Sequence, residues 1–486
     1  MSITKKMKND QIFTPPTIAN KMLDMIDIDN AIEKRYNILE PSFGDGAFLC
    51  LIIEKIINIY NERNMSNSEL ISFLDNIYGV EIDKKYFDIT IKKLNDKLKP
   101  LNVSYDWKHL YNMDLLDYCP QSPFDIIIGN PPYIRIHDIK NKHQIDILSK
   151  YKFTKGNTDL YIAFFEWSLN NIKDDGRICL ITPNSWLTNT SQANFRKYLS
   201  DNNLVSSIIN YSNFKVFETI SAYTAITLIN LNKTNKETTY TLMKNETESY
   251  YTTKVDLSQF KNSRWVFANK SDTKFLDDIS KRQIKLKDLC DIQHGIATNA
   301  DKVYIIKKED IKNFENEILR PVVKASTLDS DNMIIFPYTW SGKFNKYVPI
   351  DEEYFATMYP KTYKYLMSNK SILSKRDMEK NLCWFQYARS QGIQNSLNKK
   401  IVLKHVLSND TDVCEIKELD EKTLVYSGIY IVVKDSSNYN LVRNVLLSEE
   451  FHKYLMLVGK DMSGGYKNVS AKVVKEFGLN LKREGD

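Results

Sequence analysis

"FDIIIGNPPYIRI", residues 124–136, opens as an apolar run and then stops abruptly. Phe124–Gly129 reads as a strand that is apolar almost throughout, the pattern of a strand covered on both faces. Pro131 and Pro132 remove two backbone donors and fix φ, so no strand or helix continues through them. The chain thus sets an amide, Asn130, and an aromatic ring, Tyr133, at the end of a buried strand.

Outward from this stretch, strands and helices alternate. Strands are expected at 36–41, 76–83, 176–183, 204–211 and 222–231, and helices at 46–64, 84–98 and 158–172, with another ending at 194–201. "KDDG" (173–176) reads as the end of the third helix. Alternation of this kind implies a parallel α/β sheet with right-handed crossovers. No helix separates the last two strands, so one of them inserts antiparallel at the sheet edge. From about residue 232 the chain turns polar and loses any strong period. Farther on, short strands mix with helical pieces, as in a separate α+β domain. The expected domains are 1–235 and 236–486.

The 486 residues suffice for two to three domains at roughly 150 residues each. Hydrophobic residues make up 42% and charged residues 26%, which is ample for a core. A net charge of +6 is compatible with a polyanionic partner without requiring one. Cys50, Cys119, Cys179, Cys290, Cys383 and Cys414 form no Cys-x-x-Cys pair. They read as buried free thiols of a reducing compartment, with no disulfide or zinc framework. No apolar signal segment opens the chain, and no apolar run reaches the ~18 residues of a membrane span. A cytoplasmic protein with no membrane partner and no metal site is expected.

"NILEPSFGDGAFL" (37–49) places Glu40 and Pro41 at a strand end. A loop follows in which Gly44 and Gly46 let the backbone approach a ligand closely, although any strand-to-helix turn uses glycine. "YGVEID" puts Glu81, followed by Ile82, at the next strand end, where a carboxylate can bind both hydroxyls of a ribose. "YNMDLLDY" puts Asp114, followed by Leu115, at the one after, where it can accept from the amino group of an adenine. Singly, each acid reads as a surface residue or a helix cap; in order on successive strand ends, they describe a nucleoside pocket. Neither Gly-Lys-Ser/Thr nor a full Gly-x-Gly-x-x-Gly is present, so the pocket is not built for phosphate. S-adenosylmethionine fits, with its sulfonium and amino-acid tail near Glu40 and the loop amides.

Together with Asn130-Pro131-Pro132-Tyr133, these elements resemble the amino-methyltransferases that use S-adenosylmethionine to methylate adenine N6 in DNA. "QIFTPPTIANKMLDM" (11–25) is similar to that family's segment beside the methionine moiety, which implies cofactor contacts at Phe13, Thr14 and Pro15. Thr14 also reads as the cap of a helix beginning at Pro15-Pro16. Phe164 matches a family position flanking the cofactor adenine, and reads equally as helix core. The order of the parts is that of the γ class of restriction–modification methyltransferases. The resemblance is strong over 11–231 and weak beyond. It implies a Rossmann-like methyltransferase sheet followed by a C-terminal α+β target-recognition domain, acting on double-stranded DNA as a monomer in the bacterial cytoplasm. A cognate restriction endonuclease on a separate chain is compatible with it.

The tetrapeptide has its own chemical logic. The lone pair of an exocyclic amino group on a purine is delocalised into the ring. Acceptors on both N–H bonds draw the nitrogen toward sp3 and free that pair. The Asn130 side-chain oxygen and the Pro131 carbonyl can be those acceptors, with Pro132 rigidifying the turn and Tyr133 stacking on the base. Catalysis is then mostly orientation and electrostatics. A base inside a duplex must be flipped out to reach such a pocket. "YSNFKVFETISAYTAI" (211–226) matches the family segment that supplies a second aromatic, with Phe217 the first choice and Phe214 the second. Both also read as core. Asn-Pro-Pro-Tyr occurs as well in enzymes that methylate a protein glutamine, and variants act on RNA. A non-catalytic DNA-binding specificity protein is a further alternative. Sequence reading is assigned to 236–486, where "WSGKFNKYVP", "YPKTYKYLMSNKSILSKRD" and "WFQYARSQG" interleave basic, amide and aromatic residues. "IQHGIATNADKVYII" (292–306) and the stretch from "DMSGGYKNV" (461–469) resemble elements of such domains.

Overall fold

The computed structural model describes residues 12–212, 214–217, 222–232, 236–260, 264–390, 392–408, 410–462 and 466–480. Gln11 of the N-terminal segment, Asn213 and 218–221 of the aromatic segment, and 463–465 of the C-terminal motif lie outside them. The chain divides into two compact units, Met1–Lys270 and Ser271–Asp486.

The first unit is built on a nine-stranded sheet. Its strands are β1 (Ile38–Glu40), β2 (Ile77–Val80), β3 (Leu110–Tyr111), β4 (Phe124–Gly129), β5 (Ile172–Pro183), β6 (Val205–Asn210), β7 (Thr224–Asn230), β8 (Glu237–Met243) and β9 (Ser249–Asp256), in the order β3-β2-β1-β4-β5-β7-β6-β8-β9. From β3 to β5 every neighbour is parallel. Helices α1 (Pro16–Met25), α2 (Ala47–Glu62), α3 (Lys84–Leu98) and α4 (Leu160–Asn170) lie among these strands in the chain. β4 is covered on both faces: Ile126 and Ile128 belong to one core, and Phe124 and Ile127 to the other. α4 is apolar on every side and buried from Leu160 to Ser168, as a helix inside a large core must be.

Three details depart from the sequence reading. β7 is antiparallel, but it lies between β5 and β6 and not at the edge. The polar stretch after residue 232 is not loose: β8 pairs parallel with β6, and β9 antiparallel with β8. This hairpin, and the aromatic packing of Tyr240 on Phe267 and of Trp186 on Trp265, carry the first unit to Lys270, past the expected boundary at 235/236. Finally, "KDDG" does not end α4. The helix stops at Asn170, and residues 173–176 run inside β5 across a register shift against β4.

The second unit is α+β. One antiparallel sheet has the order Cys290–His294, Ile429–Val433, Lys400–Leu403, Ile416–Leu419 and shares a core with helices Tyr439–Leu446 and Glu449–Val458. A second four-stranded sheet, a hairpin (Tyr338–Ser341 with Lys346–Pro349) and a small three-stranded sheet complete it. Within 292–306, a short helix, Asp301–Tyr304, precedes the strand Ile305–Lys307. Cys179, Cys290 and Cys414 are buried as expected; Cys119 and Cys383 are exposed, and all six are free thiols. No helix among the described residues is long and apolar enough to cross a membrane.

Candidate active site

The sheet reverses its strand order between β1 and β4, and ligands of open α/β sheets bind beyond the carboxyl ends at such a point. Glu40, Glu81, Asp114 and Asn130 all fall at or just beyond the carboxyl ends of β1, β2, β3 and β4.

The loop after β1 turns through two left-handed glycines, Gly44 at φ +50° and Gly46 at φ +81°. A Cβ on Gly46 would lie 2.6 Å from Thr90 Cγ2, so the loop and α3 pack too closely there for any side chain. Gly44 donates its N–H to Glu81 Oε2 at 2.8 Å, and Asp83 donates to Glu81 Oε1 at 2.7 Å. Glu40 accepts from Leu49 N–H at 3.0 Å in the first turn of α2. Both acids are almost wholly buried. Burial raises the Glu40 carboxyl well above its ordinary value, and burial raises Glu81 too, against the pull of its two backbone donors. Asp114 caps the turn Leu115–Asp117 by accepting from Leu116 N–H at 3.0 Å, and its other oxygen accepts from Gln144. Gln144 was not anticipated. It is a buried amide on the same helix, Lys142–Lys150, as the buried Leu148, and a polar residue on the apolar side of that helix's period was the available signal.

Phe13 and Ile82 are large apolar side chains left 44% and 48% exposed. Phe13 packs on Tyr86 and reaches over Gly44. Phe164, by contrast, is buried in the core beneath. Thr14 is not a helix cap: Pro15 holds that position with no side-chain bond. The Thr14 hydroxyl serves a distant partner, accepting from Asn130 Nδ2 at 3.2 Å.

That contact organises the tetrapeptide. Asn130 Nδ2 also donates to the carbonyl of Ile12 at 3.3 Å. A carbonyl can only accept, so the amide is held with its nitrogen toward the N-terminal segment. Its oxygen, Oδ1, is buried and has no partner among the described residues. Ser42 donates to the Asn130 carbonyl at 3.1 Å, tying the glycine loop to the strand end. A Cβ on Gly129 would sit 3.1 Å from Pro41 Cδ, so β4 can approach the loop this closely only with glycine there. None of the described residues donates to the Pro131 carbonyl. Tyr133 donates its hydroxyl to the carbonyl of Ile181 at 3.3 Å, and burial keeps it neutral by raising its pKa well above the ordinary value. Phe217 is buried and meets the Tyr133 ring edge-on at 6.2 Å, whereas Phe214 is half-buried and packs toward Tyr211.

The sheet has the Rossmann-like strand order of S-adenosylmethionine-dependent methyltransferases, and Glu40, the glycine loop, Glu81 and Asp114 stand at its successive carboxyl ends, with Phe13 and Ile82 exposed beside them. Residues 61–217 match the family described as Eco57I restriction-modification methylase. The chain is 23% identical over 517 residues to the Type II methyltransferase M.BstVI of Geobacillus stearothermophilus, covering 96% of this chain and 89% of that protein. It is 24% identical over 486 residues to the Type II methyltransferase M.BanIII of Aneurinibacillus aneurinilyticus, covering 87% and 79%. The fold matches the Type IIL restriction-modification enzyme MmeI, solved with DNA, at TM-score 0.64 and 14% identity, over 99% of this chain and 65% of that one. These likenesses support a DNA methyltransferase of the restriction–modification type, with S-adenosylmethionine as its expected cofactor.

Proposed function

We propose that this protein methylates N6 of an adenine flipped out of duplex DNA, at a sequence read by its second unit. The observation that carries the reading is the Asn130 amide. Its nitrogen is held by Thr14 and Ile12, and its oxygen is buried at a strand end without a partner among the described residues. An unsatisfied buried acceptor costs about 1–3 kcal/mol, so a native one calls for a use. Asn130 Oδ1 would accept one N–H of the amino group and the Pro131 carbonyl the other. S-adenosylmethionine, when bound, supplies the electrophilic methyl group. Tyr133 gives a face for the extruded base, and its hydroxyl bond to Ile181 fixes the ring plane. Phe217 stands edge-on to Tyr133 and positions that ring. Methyl-labelled S-adenosylmethionine and plasmid DNA, followed by nucleoside digestion, test the reading. Label in N6-methyladenine is expected; label in N4-methylcytosine, or only in RNA or protein, overturns it.

A further inference from the structure

The hairpin Tyr338–Ser341/Lys346–Pro349 in the second unit is built unlike its neighbours. It is a two-stranded sheet that no other strand joins among the described residues. Its base is rooted: Tyr338 is buried and packs on Phe336 and Tyr387 at 5.2 Å each. Gln394 brackets the backbone of Tyr347, accepting from its N–H at 2.7 Å and donating to its carbonyl at 2.9 Å. Tyr347 in turn packs on Phe336 and on Trp340. Aromatic packing thus climbs from the core to the open strands, and the tip beyond it is solvent-exposed.

At the tip, Phe344 is 59% exposed and Trp340 is 51% exposed. The ammonium groups of Lys343 and Lys346 stand over the Phe344 ring at 5.4 and 5.8 Å. No Asp or Glu occurs from 332 to 350, and neither lysine pairs with a carboxylate among the described residues. A lone hairpin in water is only marginally stable, and exposed rings add no stability of their own. Rooted rings that end in an exposed aromatic between two unpaired cations have the chemistry of nucleic-acid wedges. Cations meet phosphates, and the ring presses on bases or sugars.

We infer that this hairpin is a contact for duplex DNA, with Lys343 and Lys346 on backbone phosphates and Phe344 against an opened base step. The inference rests on the DNA reading above and names the element that makes the contact. Salt titration of the full-length protein on a fluorescent mixed-sequence duplex tests it, with cofactor binding and thermal unfolding as folding controls. For Lys343→Gln/Lys346→Gln the slope of log K against log salt should become shallower by about 1.8, at about 0.9 for each phosphate no longer neutralised. For Phe344→Ala the slope should hold while affinity falls about tenfold, within the range for one stacked base. On a duplex carrying 2-aminopurine, wild-type binding should raise the probe's fluorescence and Phe344→Ala should not; an equal rise in both overturns the role given to the ring. Wild-type binding with unchanged slope and affinity in the variants overturns the hairpin assignment alone. No duplex binding by the wild type overturns it together with the DNA reading.

Discussion

Along the carboxyl edge of one sheet, neighbouring strand ends treat their polar atoms in opposite ways. At Glu40, Glu81 and Asp114 the carboxylates already hold donors from the chain: Leu49, Gly44 and Asp83, and Leu116 with Gln144. At Asn130 the nitrogen is held twice and the oxygen, among the described residues, not at all. On the proposed cofactor side the carboxyls are therefore held before any ligand arrives, with lone pairs to spare. On the proposed methyl-acceptor side Asn130 Oδ1 is left open. Preorganised polar groups in a water-poor site act on the step where charge or geometry changes, so the two sides should fail differently when altered.

The largest effect is expected at the open side. Asn130→Ala should lower the single-turnover methylation rate by about 100-fold or more, the scale for one preorganised hydrogen-bonding group, and leave cofactor affinity near wild type. Tyr133→Ala should cost about 10- to 100-fold in rate, from a stacking interaction of about 1–3 kcal/mol, again without a matching drop in cofactor affinity. Thr14→Val removes one of the two acceptors that hold the Asn130 amide and should slow turnover about 3- to 10-fold, from one net hydrogen bond of about 0.5–1.5 kcal/mol. Thr14→Ser should restore the rate, an outcome that a mere packing role for Thr14 would not give.

The smallest effect concerns stability. Glu40 has a raised pKa in the folded state, so the fold holds its proton more tightly than the unfolded chain does. Its contribution is complete below the unfolded carboxylate range and is lost as pH rises from there through the raised value. The ligand-free protein should therefore melt at a lower temperature at pH 8 than at pH 5.5, and Glu40→Gln should flatten that slope. Melting curves across this interval, with S-adenosylmethionine as a second condition, measure both.

The strand ends could be read in the sequence because their chemistry demands particular residues. An apolar run into Asn-Pro-Pro-Tyr, two glycines in a turn and acids on successive ends leave few arrangements. Partners far apart in the chain could not be read. Thr14 has the local pattern of a cap, and only folding brings Asn130, 116 residues away, to its hydroxyl. Gln144 meets Asp114 from a helix with no motif. β8 and β9 are rich in Thr and charged residues, so their pairing onto the sheet carries little apolar signal. In the second unit, many strands are only two to four residues long, too short for a period to register.

The contrast between the two sides is tested most directly by crossing two variants on two measurements. Equilibrium S-adenosylmethionine binding and single-turnover methylation at saturating cofactor would be recorded for Glu81→Ala and Asn130→Ala. Glu81→Ala should weaken cofactor binding about 10- to 100-fold, from removal of a buried acceptor worth about 1–3 kcal/mol, with most of the rate recovered at saturation. Asn130→Ala should bind cofactor normally and stay slow at any concentration. If Asn130→Ala instead binds cofactor poorly and regains its rate at saturation, the open oxygen serves the cofactor and not the methyl acceptor, and the account fails.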